Sequence, residues 1–217
     1  SADANFKYYN VNGKAASTEG VDVSDYNGTI DWKKVKDSGI DFAMIRIGGR
    51  GYGTEGTLYQ DENAIKNITE AKDNGIKVGV YFFSQAINTE EANYVKDILG
   101  DIKLDYPVAY DWEIVKDDDA RTDNVSAYEA TECARAFCQT VESNGYTASI
   151  YSPSRELYFK YDLSRLKDYD IWYCEYSDTP EFYYQFSMWQ YTTAGKVDGI
   201  DGEVDLNICF TGIADYA

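Results

Sequence analysis

Histidine is absent from the 217 residues. That removes Ser-His-Asp and Cys-His catalysis, His-ligated zinc and every histidine general base, leaving carboxylates, Lys and Tyr for proton transfer. Basic residues are scarce, with 20 Lys and Arg against 38 Asp and Glu and a formal charge of −18. Phosphate backbones and anionic membrane surfaces reward positive charge, so neither is an expected partner. No apolar run is long enough to cross a bilayer, so no membrane insertion is expected, and no signal peptide is visible in this chain. The four cysteines, Cys133, Cys138, Cys174 and Cys209, contain no CxxC pair. A zinc site is therefore not expected, nor any other metal or cofactor; the cysteines read as small buried apolar residues, with a distant disulfide left open.

Aromatics are abundant instead, with 21 Tyr and 4 Trp. Most of them pack a core, but aromatic faces are also what sugar rings stack on, and a neutral or mixed-charge ligand such as a glycan suits this charge balance. The length fits one sizeable domain. Residues 1–19 are polar and rich in small side chains and read as an N-terminal tail or linker, leaving 20–217 for the domain.

From Gly20 onward, strands and helices alternate. The expected strands are Gly20–Ser24, Phe42–Ile47, Lys77–Ser84, Tyr106–Glu113, Thr147–Tyr151, Ile171–Tyr176, Phe186–Thr192 and Gly202–Cys209. Helices are expected from Trp32 to Ser38 and from Asp61 to Asn74, with Ala64, Ile65, Ile68 and Ala71 as the apolar stripe of the second. Others run from a Thr89 cap, with Glu90 and Glu91 in the first turn, to Leu99, from a Ser126 cap to Ser143, and from Ser154 to Phe159. The glycine-rich stretch from Gly48 to Gly56 lacks the spacing and lysine of a phosphate loop and reads as a substrate-side or flexible loop. Strands apolar on both faces belong in a parallel sheet covered by helices. The expectation is a shortened TIM-like α/β barrel of about eight mostly parallel strands with fewer than eight helices.

The chemistry concentrates in Tyr106–Glu113, YPVAYDWE. Strand alternation puts Asp111 and Glu113 on one side, where like charges repel and at least one pKa rises. A solvated acidic loop would explain that pair equally well. Asp22, near the end of the first strand, and Asp205, in the last, change the balance. Active sites of such barrels lie at the C-terminal ends of the strands, and four acids from distant positions would converge there.

The segments GVDVSDYNGTIDW, YDWE, FSMWQYT and GEVDLN resemble a glycoside hydrolase family 25 lysozyme (an N-acetylmuramidase), in that family's order and from about Gly20 onward. The resemblance implies a catalytic domain over 20–217 that cleaves the β-1,4 bond between N-acetylmuramic acid and N-acetylglucosamine in peptidoglycan glycan strands, with net retention. It implies Glu113 as general acid, Asp111 as the carboxylate assisting at the anomeric centre, and Asp22 and Asp205 as supporting acids. It also implies a monomer without metal or cofactor, secreted or associated with the cell wall. Phe83, Tyr151 and Tyr191, nearest the strand ends, are expected in the sugar cleft, with Tyr81, Trp189 and Arg46 as further substrate-binding residues; Trp112 should pack outward under a helix. A chitinase-like hydrolase, a metal-dependent barrel and a non-catalytic glycan-binding barrel are the competing readings.

Overall fold

Strands without a polar face need cover on both sides, and the chain supplies it by closing its sheet on itself. The computed structural model describes residues 6–87, 91–116 and 119–210. Eight strands form the barrel: β1 (Thr18–Val23), β2 (Phe42–Arg50), β3 (Lys77–Ser84), β4 (Val108–Trp112), β5 (Ala148–Pro153), β6 (Asp170–Cys174), β7 (Met188–Gly195) and β8 (Val204–Cys209). Neighbours from β1 to β7 pair in parallel. β8 runs against both β7 and β1 and closes the ring.

Among the described residues, five α-helices lie outside: α1 (Trp32–Asp37), α2 (Ala64–Asp73), α3 (Glu91–Leu99), α4 (Ala127–Ser143) and α5 (Ser154–Phe159). α4 begins with a capping box, Ser126 accepting from the Glu129 amide at 3.2 Å while the Glu129 carboxylate accepts from the Ser126 amide at 2.9 Å. The expected cap at Thr89 and the first-turn Glu90 lie outside the described residues. On α2 the apolar stripe is corrected at one position. Ile65 is exposed, and Asn67 is buried in contact with the core, accepting from the Trp32 indole at 3.2 Å.

No helix separates β6 from β7. Residues 176–186 cover that face, Phe182 stacking on Tyr173 at 4.8 Å. Glu175 pins this cover, since its carboxylate accepts from the Tyr173 hydroxyl at 2.7 Å and the Glu181 amide at 2.8 Å. The stretch expected as a tail is half-buried at Phe6 and Lys7 and exposed over residues 8–15, and its last two residues, Thr18 and Glu19, already belong to β1. Its short strands Asn10–Val11 and Lys14–Ala15 pair with each other, and the Lys7 ammonium lies 5.2 Å from the Trp189 ring centre and 5.6 Å from that of Tyr191.

The glycine-rich stretch is also corrected. Gly48 and Gly49 belong to β2, which runs on to Arg50 and pairs with a short antiparallel strand, Leu58–Gln60. A Cβ at Gly48 would sit 2.3 Å from the Tyr59 carbonyl oxygen, so only glycine permits that approach.

The barrel floor is a plug. Phe42 stacks on Tyr106 at 4.5 Å, filling the space left by Gly20, whose Cβ would meet the Phe42 ring at 2.3 Å. Met44, Ala109, Trp172, Met188 and Cys209 join the same buried cluster. All four cysteines are buried, and none is in a disulfide. The interior is a filled core that opens only at one end.

Candidate active site

That open end collects the acids. Alternation along β1 turns Asp22 inward, and the antiparallel register sets Asp205 directly opposite it. Asp205 comes from the start of β8, where the parallel-barrel rule would have put it at the far end. The reversal of β8 brings that start to the mouth. Across the ring, Asp111 is the fourth residue of β4, beside Phe83 of β3 and Tyr151 of β5 in register. Glu113 lies just past the strand end and is half-buried at the rim, while Asp111 is only 5% exposed and Asp22 only 7%. The Glu113 backbone is held by the Gln85 side chain, whose amide donates to its carbonyl at 2.9 Å.

Burial dominates the acidities here. Asp111 is pushed well above the carboxylate range by burial, then by the charge of Glu113 and its hydrogen bond with Glu113; Arg46 only partly offsets this. Glu113 is raised by burial and by the charges of Glu156 and Asp22, against a lowering from its hydrogen bond with Asp111. Because Asp111 is the deeper of the two carboxyls, burial favours a proton there over Glu113. Crowding alone raises at least one of the two; depth in the barrel favours Asp111. On the opposite wall, burial and the adjacent Asp22 push Asp205 up to about 8. Asp22 is raised by burial, but hydrogen bonds from Asn207, Gln190 and Asp205 favour its charged form. On that wall the hydrogen bonds favour the charge on Asp22 over Asp205.

Of the aromatics expected in the cleft, Tyr81 and Tyr151 face inward, each edge-on to Trp172 at 5.9 and 4.7 Å. Phe83 is half-buried on the inward side of β3. Trp189 and Tyr191 are not brought there: both join the outer core, under Lys7, because the inward residue of that part of β7 is Gln190. Tyr110 likewise faces outward, 5.0 Å from Phe137. Trp112 packs outward as expected, its indole donating to the Ala86 carbonyl at 3.3 Å. Arg46 is at the mouth, but its guanidinium pairs with Asp61 at 2.9 Å and with Asp25, and lies 5.0 Å from the exposed ring of Tyr26.

Sequence reasoning overlooked Gln190, Asn207, Trp172 and Glu156. The first two lie inside the segments FSMWQYT and GEVDLN, one residue from the aromatics and two from the acid that drew attention. The Asn207 amide donates to Asp22 at 2.7 Å, and its carbonyl accepts from the Trp172 indole at 2.8 Å. The result is a cleft with Asp111 and Glu113 on one wall, Asp22 and Asp205 in a hydrogen-bonded network on the other, and inward aromatic faces between them.

Comparison with known proteins adds the following. The family model for glycosyl hydrolases family 25 matches residues 21–200. An autolytic lysozyme of Clostridium acetobutylicum is 28% identical over 198 residues, covering 90% of this chain and 56% of that protein. The modular autolysin LytC of Streptococcus pneumoniae, solved in complex with a synthetic peptidoglycan ligand, is 25% identical with a TM-score of 0.78, over 93% of this chain and 51% of that one. A family 25 glycosyl hydrolase from Bacillus anthracis shares the fold at 21% identity and a TM-score of 0.77, over 99% and 98% of the two chains. The chain thus spans about half the length of the clostridial lysozyme and of the pneumococcal autolysin.

Proposed function

The chain belongs to glycosyl hydrolases family 25, and from that premise we propose that it hydrolyses peptidoglycan glycan strands at the β-1,4 bond between N-acetylmuramic acid and N-acetylglucosamine. The observation that carries this reading is the convergence of Asp22, Asp111, Glu113 and Asp205 at one barrel mouth. Residues 20–217 serve as the catalytic domain, acting as a secreted or wall-associated monomer.

In the working form a proton moves across the pair from Asp111 to Glu113. Glu113 then donates it to the glycosidic oxygen as the bond to the anomeric carbon breaks, and the departing N-acetylglucosamine leaves as an alcohol. The carbonyl oxygen of the substrate's own 2-acetamido group closes on the anomeric carbon, while the Asp111 carboxylate accepts the amide N–H and stabilises the positive ring. Glu113, now a base, takes a proton from a water that opens this ring on the original face. The configuration is retained, and Glu113 is again protonated. Asp22 and Asp205 contribute negative charge and a hydrogen-bond donor across the cleft. Phe83, Tyr81 and Tyr151 offer faces to the sugars, and Arg46 shapes the rim through Tyr26.

The test is digestion of purified peptidoglycan with mass analysis of the new reducing ends. Muramic acid ends are expected. Glucosamine ends would point to a different bond, and no release at all would leave a glycan-binding barrel.

A further inference from the structure

We propose that Gln190 is a positioning residue of the acid cluster, its side-chain amide fixed in one orientation so that it holds Asp22 ionised opposite Asp205. The proposal deepens the function above and rests on it only for its rate measurement.

Gln190 is 2% exposed and spends its whole side chain on this wall. Its nitrogen donates to Asp22 Oδ2 at 2.9 Å and to Asp205 Oδ2 at 3.3 Å. Its oxygen accepts from the Tyr151 hydroxyl at 2.8 Å and the Tyr176 hydroxyl at 3.2 Å. A hydroxyl can face either end of an amide, but a carboxylate accepts only. Turning the amide over would press its oxygen against Asp22, so the acids choose the orientation and the two phenols satisfy what remains. Asp22 Oδ2 then receives the Gln190 and Asn207 amides together.

The ionisable groups around this wall come from every strand that reaches the mouth. Asp22 and Asp205 are in contact with Gln190; Asp111, Glu113, Tyr81 and Arg46 lie across the cleft, Tyr151 and Cys174 on the adjoining strands, and Tyr176 just past the end of β6. Most of the charge is negative, which drives Asp22 toward protonation. The Gln190 amide opposes this at hydrogen-bond range. Tyr176, 58% exposed, extends the network to solvent at the rim.

The experiment compares wild type with Gln190→Met, which keeps length and removes both polar ends, and Gln190→Glu, which keeps the shape. Carboxyl carbon NMR of aspartate-labelled protein, with Asp22→Asn to assign the signal, follows Asp22 directly. Its titration midpoint should rise by about one pH unit in Gln190→Met, the worth of one hydrogen bond to a charged group. It should also rise in Gln190→Glu, which adds a carboxyl beside it. The acid limb of kcat on peptidoglycan should move up with the midpoint, while KM changes little. An unmoved Asp22 midpoint, in either variant that keeps the wild-type melting curve, would overturn the proposal. A shifted midpoint in a protein whose wild type releases no sugar ends would uphold the positioning role and reject the substrate reading.

Discussion

At the residue scale, Asp111 and Glu113 matter as a pair. Glu113→Gln keeps the shape and removes the proton donor, so turnover should drop by about two to four orders of magnitude while glycan binding persists; a near-normal rate would reassign the acid. Asp111→Asn should also cripple turnover, through loss of the charge beneath the sugar. Glu156 allows a finer check. It is buried at 6% exposure on α5, and its charge raises the Glu113 pKa. Removing that charge lets Glu113 ionise more readily, so the alkaline limb of the rate profile should move to lower pH in Glu156→Gln. A limb that stays put or rises would show that Glu156 does not act on the pair. Both limbs belong to the coupled cluster, so the comparison is between whole profiles.

At the scale of elements, a buried ion pair ties β2 to α3. Arg50, at the end of β2, donates to Glu91 at 2.6 Å and to the Gly56 carbonyl at 2.9 Å, while Glu91, the first residue of α3, accepts from Ser84 at the end of β3. Glu91→Leu strands a buried guanidinium, and a loss of about 3–5 kcal/mol is expected in denaturant unfolding with the slope unchanged. A loss under 1 kcal/mol would mean water reaches Arg50. Elements were also where the sequence was most and least readable. Runs such as KVGVYFFS announce a doubly covered strand, and the acids at strand ends announce a mouth. Direction and facing were not legible. A period of two reads the same forwards and backwards, so nothing in GEVDLNIC shows that β8 is reversed. In FSMWQY both faces are apolar enough to be buried, and the rings of Trp189 and Tyr191 drew the choice away from Gln190, whose role appears only once its four partners are assembled.

For the whole molecule, the buried acids make stability depend on pH. Glu19, outside the barrel wall and 2% exposed, is pushed up to about 8 by burial, as is Asp205 within it. An acid whose folded pKa exceeds its unfolded value stabilises the protein fully below the unfolded value, near 4, and loses that contribution as pH rises through the folded one. Tm should therefore fall between pH 5 and pH 8, with a combined loss of a few kcal/mol, and flatten above that. Glu19→Gln should remove part of the slope. A Tm that is constant or rises across this range would contradict the assignment. The net charge of −18 adds self-repulsion, so added salt should ease the decline.

The reversed strand also sets an order of events during synthesis. β8 pairs with β7 on one side and β1 on the other, so nothing before residue 204 can seal the ring. A chain leaving the ribosome at roughly 5–20 residues per second carries Asp22, Asp111 and Glu113 for many seconds as parts of an unsealed sheet. Asp205 and Asn207 arrive together with the closing strand, as the last pieces of the wall around Asp22. Completion of the fold and completion of the acid cluster are thus a single step, and a nascent chain stalled short of that strand has the acids of a hydrolase without their arrangement.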